Sequence, residues 1–333
     1  MSVFIIAEAG VNHNGDITLA HRLIDVAAQS GADAVKFQTF IPEKLVASAT
    51  PQAAYQARNT GQQQSQLEML RQLALPLEAF AELKAHCDEA GIEFMSTPFE
   101  EDSLEYLLSI GMRRIKVPSG ELLSTPFLRA IGQAGLPTIL STGMATLEEV
   151  RHAVETLLQA GLPKADLTIL HCTSAYPTPP EAVNLRAMRT LADTFHVPVG
   201  LSDHTEGLNA AVAATALGAS VLEKHFTLDK SLPGPDHRAS LTPGELRALV
   251  DAVRETQCML GSGEKMAMEA EANTRSVARR RIVAARPIRA GEAFTPEKVT
   301  LKRAPSGWFG DRWDDVIGQV APRDYATDEG IAW

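Results

Sequence analysis

Short runs of β-forming residues alternate with helical stretches along most of this 333-residue chain, and the number of those runs bounds the fold. Strands are expected at Phe4–Gly10, Ala34–Thr39, Glu93–Pro98, Arg114–Glu121, Thr138–Met144, Leu167–Tyr176, Pro198–Asp203 and Val221–Leu228. Helical patterns follow them, among them Ile17–Gln29, Ser103–Ser109, Leu147–Gln159, Ala210–Leu217 and Gly244–Met259. Eight such β/α units over ~250 residues fit a closed (β/α)8 TIM barrel better than an open sheet.

Polar residues gather at the C-terminal ends of these runs: Glu8, Lys36 with Gln38, Ser96 with Thr97, Lys116 with Ser119, Ser141 with Thr142, Thr173 with Ser174, Ser202 to His204, and Glu223 to His225. In a barrel these ends form the mouth where catalysis occurs. Alternation puts Ser202 with His204 on one strand face, and Glu223 with His225 on another. His204 and His225 then meet at one rim as a candidate divalent-metal pair, open to water and substrate and suited to Mn2+ or Mg2+ rather than structural zinc. The plainer reading makes them rim histidines that satisfy hydrogen bonds. Their places on the last two strands favour the ligand role.

Lys36 and Lys116 at strand ends would ordinarily snorkel to solvent. Beside Ser119 with Gly120 and Ser141 with Gly143, they read instead as a pocket for phosphate or carboxylate. Glu8 and Glu223 are either structural partners of buried lysines or, next to a metal, general acid and base candidates. Asn12-His13-Asn14-Gly15-Asp16 reads as a turn in which Asp16 caps the helix from Ile17. Asp236, in the turn-rich loop Pro233 to His237 beyond the last strand, can accept paired hydrogen bonds from a polyhydroxylated ligand.

The balance of 31 Lys and Arg against 41 Asp and Glu gives a net charge of −10, which excludes a general nucleic-acid or anionic-membrane binder. Cys87, Cys172 and Cys258 are far apart and show no zinc spacing, so they read as reduced thiols of a cytoplasmic protein. The N-terminus has no basic leader and meets Glu8 after a few apolar residues, unlike a signal peptide or membrane anchor. We divide the chain into a barrel domain at 1–262, a polar linker at 263–278 and a small β-rich module at 279–333. In that module Arg281–Ala285, Pro287–Gly291, Val299–Arg303 and Val316–Val320 read as short strands. A long polar loop from Phe40 to Gln66 follows the second barrel strand, where substrate-covering segments occur.

The motifs Ile6-Ala7-Glu8, Asn12-His13-Asn14-Gly15, Val35-Lys36-Phe37-Gln38-Thr39, Ser96-Thr97-Pro98-Phe99, Lys116-Val117-Pro118-Ser119-Gly120-Glu121, Leu140-Ser141-Thr142-Gly143-Met144, His171-Cys172-Thr173-Ser174 with Tyr176-Pro177, Leu201-Ser202-Asp203-His204-Thr205, and Glu223-Lys224-His225-Phe226-Thr227 with Gly234-Pro235-Asp236-His237 resemble, in order, those of the sialic acid synthase family. Arg281-Ile282-Val283-Ala284 and Ile288-Arg289-Ala290-Gly291-Glu292 resemble the antifreeze-like (SAF) domain that follows the barrel in that family. The resemblance implies condensation of phosphoenolpyruvate with an open-chain N-acetylated amino sugar. By the resemblance, Lys36, Thr97, Lys116, Ser119, Ser141, Ser174 and Ser202 hold phosphoenolpyruvate, while Gln38, Tyr176 and Asp236 contact the sugar. His204 and His225 hold Mn2+ or Mg2+, His225 also lies near the sugar aldehyde, and Glu8 and Glu223 manage protons.

Arg303 matches a basic residue that the family's small domain extends into a partner barrel, which implies a domain-swapped homodimer. The chain departs from the family after that arginine, with Ala304-Pro305-Ser306-Gly307-Trp308 where Pro-Gly and then Gly-Ile are usual. The first expectation for the sugar is N-acetylmannosamine, giving N-acetylneuraminate. The alternative is 2,4-diacetamido-2,4,6-trideoxymannose, giving N,N'-diacetyllegionaminate, and Tyr55-Gln56-Ala57-Arg58-Asn59-Thr60-Gly61 lies where the family varies with sugar. A non-catalytic sugar- or ice-binding protein is the rival of another class. The metal and phosphoenolpyruvate residues argue against it.

Overall fold

Eight parallel strands carry the larger part of the molecule: β1 Phe4–Gly10, β2 Ala34–Thr39, β3 Glu93–Pro98, β4 Ile115–Val117, β5 Thr138–Ser141, β6 Leu167–Cys172, β7 Val199–Asp203 and β8 Val221–His225. The computed structural model describes residues 2–53, 56–57, 59 and 64–333. Ladder order runs β3-β2-β1-β8-β7-β6-β5-β4, and β3 and β4 lie side by side to complete the ring. The chain forms a (β/α)8 barrel, followed by a small module whose strands β9 Arg280–Ala284 and β10 Val299–Arg303 pair antiparallel. Contacts divide the chain into two units, Met1–Gly261 and Ser262–Trp333.

Strand starts agree with the sequence reading to within one residue, β4 and β7 beginning at Ile115 and Val199 rather than Arg114 and Pro198, but several ends come sooner. The run expected at Arg114–Glu121 is a strand only over Ile115–Val117, because Pro118 has no N–H for a ladder and Ser119–Glu121 turns into a 3-10 helix. The runs expected to reach Met144 and Tyr176 stop at Ser141 and Cys172, so Gly143 and Ser174 stand on loops above the rim. The run expected to reach Leu228 stops at His225. In the small unit, the expected strands Pro287–Gly291 and Val316–Val320 are replaced by the isolated bridges Ile288 to Tyr325 and Ala293 to Val320. Val316 instead closes the short helix Trp313–Val316, whose first turn carries Asp314 and Asp315.

Layering inside the ring positions the site. Ile6, Ala34, Met95, Ile139, Leu170 and Val221 form an apolar plug. One alternation further along, their strands present Glu8, Lys36, Thr97, Ser141, Cys172 and Glu223. A larger core between sheet and helices, including Leu23, Phe80, Leu107, Ile131, Leu157 and Leu249, fixes the ring from outside. Asp16 caps the helix Ile17–Gln29 by accepting from Thr18 N at 2.7 Å, as the turn reading expects. Among the described residues, no helix is long and apolar enough to cross a membrane.

Candidate active site

Four buried charges make the floor of the mouth. Glu8, Lys36, Lys116 and Glu223 are 2%, 3%, 3% and 6% exposed, so each must find its counter-charge inside the protein. Lys36 Nζ lies 2.6 Å from Glu8 Oε2 and 3.5 Å from Glu223 Oε2, and donates to Thr97 Oγ1 at 2.9 Å. Lys116 Nζ lies 3.6 Å from Glu223 Oε1, which also accepts from Ser202 Oγ at 2.8 Å. Both carboxylates are thus partners of buried lysines.

The two glutamates are nonetheless held in different states. Burial pushes the Glu8 carboxyl up toward neutrality; Lys36 opposes this, and the charge of Glu223 adds to it. Burial acts the same way on Glu223, but Lys116, Lys36 and the Ser202 hydroxyl outweigh it and hold that carboxyl down. Glu8 is therefore the carboxyl in this pair that is ready to carry a proton, and Glu223 the one that stays charged.

Beside the lysines, hydroxyls converge on a backbone N–H. Gly143 N donates to Ser119 Oγ at 2.9 Å. A Cβ at residue 143 would overlap Ser174 Oγ and come within 2.8 Å of Ser119 Oγ, so only glycine lets the loop close on both serines. Ser141 Oγ is buried with no hydrogen-bond partner among the described residues. An unused buried hydroxyl at the strand ends that also carry two ammonium groups suits an anion.

Above this floor the two histidines face each other with ring centroids 5.5 Å apart. His204 Nδ1 lies 2.9 Å from the Thr173 carbonyl, which fixes the proton on Nδ1 and leaves Nε2 as a lone-pair donor. His225 Nδ1 is buried without a partner, and burial, reinforced by His204 and Lys36, holds that imidazole well below its ordinary pKa and therefore neutral. Burial works against a charge on His204 too, but Cys172 and the Thr173 carbonyl outweigh it and raise that imidazole's pKa, so His225 is the neutral member of the pair. Imidazole nitrogens so placed fit a divalent ion once His204 gives up its proton. Among the described residues no cluster of three or more His, Cys, Asp or Glu can hold one, so an ion held by this pair would take two nitrogens from the chain and its other ligands from elsewhere.

A cavity of about 210 Å3 opens beside His225, lined by Gln38, Tyr176, Gln56 and Asp236 with Phe40 and Met69 among its apolar walls. The Tyr176 ring packs 4.2 Å from His204 and 6.1 Å from His225. Burial pushes the Asp236 carboxyl up to about 6 against the opposing pull of His204. Asn59 Nδ2 donates to Pro235 O at 2.6 Å, tying the long loop to the Asp236 turn. Of the stretch expected to vary with sugar, Tyr55, Arg58, Thr60 and Gly61 lie outside the described residues.

The structure therefore brings together Glu8, Lys36, Thr97, Lys116, Ser202 and Glu223 on the floor, Ser119 and Ser174 at Gly143, and Gln38, Tyr176, His225 and Asp236 around the cavity. Arg303 lies in the second unit, exposed at the end of β10 opposite Arg280. Two features were missed by the motif reading. Cys172 Sγ sits 3.8 Å from His204 Nδ1, and Asp203 pairs with Lys224 directly behind the histidines. Strand alternation carried a signal for the second, since both residues precede a histidine and face away from the mouth.

Against known proteins, the model of the NeuB family matches residues 23–265. The chain belongs to the NeuB family. Its residues 279–333 match the SAF domain. It is 44% identical over 327 residues to the N,N'-diacetyllegionaminic acid synthase of Campylobacter jejuni, covering 98% of each chain. It is also 44% identical to the enzyme of the same name from Legionella pneumophila, covering 100% of this chain and 94% of that one. Among solved structures, it resembles the N-acetylneuraminic acid (sialic acid) synthetase of Leptospira borgpetersenii in complex with citrate, with a TM-score of 0.73 at 33% identity over 83% of this chain and 90% of that one. This NeuB-family chain is a phosphoenolpyruvate-dependent synthase that forms a carbon–carbon bond.

Proposed function

We propose that the protein condenses phosphoenolpyruvate with 2,4-diacetamido-2,4,6-trideoxymannose to give N,N'-diacetyllegionaminate and phosphate. The observation that carries this choice of sugar is 44% identity across nearly the whole chain to two legionaminic acid synthases, against 33% to the sialic acid synthetase structure. It replaces N-acetylmannosamine, the first expectation from the motifs.

Lys36 and Lys116 set positive charge against the phosphate and carboxylate of phosphoenolpyruvate, and Thr97, Ser119, Ser141, Ser174, Ser202 and the Gly143 N–H orient those groups. Gln38, Tyr176 and Asp236 hold the sugar in the adjoining cavity with its aldehyde toward His225. His204 and His225 would hold Mn2+ or Mg2+, and that ion would supply a Lewis acid for the aldehyde oxygen. C3 of the enol attacks the aldehyde carbon, the C=O π pair moves onto oxygen, which takes up a proton to become the new hydroxyl, and positive charge is left at C2. Water adds at C2, and the adduct collapses with cleavage of the C–O bond to phosphate. Glu8, the carboxyl pushed toward neutrality, moves the proton between the water and the departing groups, and charged Glu223 stabilises the positive centre.

Phosphoenolpyruvate supply and unpaired cysteines support a cytoplasmic setting. Arg303 supports a homodimer in which each small unit completes the partner's sugar site. The test is phosphate release from phosphoenolpyruvate with Mn2+, comparing the two sugars across concentration. A kcat/KM advantage for the diacetamido sugar is expected, and an advantage for N-acetylmannosamine returns the chain to N-acetylneuraminate synthesis.

A further inference from the structure

His204 and His225 each follow a residue that faces the opposite way. Alternation turns Asp203 and Lys224 out of the ring interior, where they are direct partners across β7 and β8. Their side chains are 1% and 3% exposed. Lys224 Nζ donates to Asp203 Oδ2 at 2.7 Å and to Thr205 O at 2.8 Å, and Asp203 Oδ1 accepts from Thr205 N at 2.8 Å. Every one of these bonds ends on a residue adjacent to a histidine: Asp203 and Thr205 flank His204, and Lys224 precedes His225. On the other side of His204, its carbonyl accepts from Thr178 N at 2.8 Å.

Stability does not explain the choice of residues. Two strand residues earlier, on the same outward face, Leu201 and Leu222 are partners and both are buried. An apolar pair fills that rung without desolvating any charge, and a buried ion pair is often no more stable than an apolar pair of similar volume. What the ion pair adds is direction, since each bond fixes an angle as well as a distance. We propose that Asp203 and Lys224 form a positioning pair that sets the separation and orientation of the His204 and His225 imidazoles, and so the divalent-metal affinity of the site. The inference rests on the reading of those histidines as the metal-holding pair.

The test uses the full chain freed of metal and titrated with Co2+, whose visible spectrum reports ligand geometry. Asp203→Leu with Lys224→Met repeats the apolar rung below and removes the charge pair without leaving one partner unpaired. This variant is expected to bind phosphoenolpyruvate like the unaltered protein, to bind Co2+ about 10- to 100-fold more weakly, and to shift the Co2+ bands. The near-isosteric Asp203→Asn carries the same expectation of weaker Co2+ binding and shifted bands, so the proposal stays testable if the double variant does not fold. Unchanged Co2+ affinity and spectrum in a folded variant would overturn the positioning role. His225→Ala separates the two ideas: if it keeps full Co2+ affinity, or if the unaltered protein binds none, the metal reading falls and the positioning role with it.

Discussion

Replacing Asp236 with Asn should stabilise the empty protein in a pH-dependent way while weakening its hold on the sugar. The carboxyl is buried at the cavity wall, and no hydrogen bond or ion pair to it occurs among the described residues. Its rise from 3.8 to about 6 corresponds to roughly 3 kcal/mol of folding stability. Because the folded value lies above the unfolded one, that stability is present below pH 3.8 and is lost as pH climbs through about 6. Asn does not ionise, so subtracting one protein from the other cancels every other titrating group. The stability of Asp236→Asn relative to the unaltered chain should therefore grow by roughly 1.4 kcal/mol between about pH 5 and about pH 7.5. Urea unfolding at both pH values measures it. Loss of a charged acceptor should at the same time weaken sugar binding by about 1.5–3 kcal/mol, or roughly 10- to 150-fold in Kd. A stability difference that stays flat with pH would refute the assignment of a raised Asp236 pKa, and unchanged sugar affinity would remove the residue from the sugar site.

Three further substitutions probe the rest of the mouth. Glu8→Gln removes a negative charge from Lys36, so phosphoenolpyruvate should bind at least as tightly while kcat falls by about 100-fold or more, and rapid turnover would show that Glu8 moves no proton. Gly143→Ala forces Ser119 and Ser174 apart, and should raise the KM for phosphoenolpyruvate by roughly tenfold with a smaller change in kcat, whereas an unchanged KM would dissolve the proposed anion cradle. Arg303→Ala should raise the KM for the sugar but not for phosphoenolpyruvate, and equal sugar KM values would end the case for a contribution from the small unit.

Much of the barrel was legible because its strands end in chemistry. The turn from apolar to ionisable residues at Glu8, Lys36 and Glu223 marks both the strand and the direction of the mouth, since active sites of such barrels lie at the C-terminal rim. Strand ends were overrun at Arg114–Glu121 and Leu167–Tyr176 because Ser and Thr occur in a pleat and a turn alike, and in the first of them Pro118 announced the break. The Asp203–Lys224 bond was harder to read, because alternation tells which way a side chain faces but not its level on the neighbouring strand, which register decides. In the small unit, few long runs repeat, so a bridge such as Ile288 to Tyr325 leaves almost no periodic trace. The sugar is least legible, since two similar sugars differ by few contacts, and the proposed sugar site at the Asp236 cavity is walled mainly by segments that join the strands.

The two carboxyls on the floor already engage the two lysines before any ligand arrives. Glu8 and Glu223 thereby act as tethered competitors, always present at the lysines and never diluted. A stray anion of the cell must displace them to gain anything, and a single carboxylate or a lone phosphate has little to offer in exchange. If the proposed site is right, a molecule bearing both groups would reach the two lysines and the serine cradle at once, and so win the contest that simpler anions lose. On the proposed reaction, that advantage would end once the C–O bond breaks: the carboxyls would reclaim their lysines and help to expel phosphate.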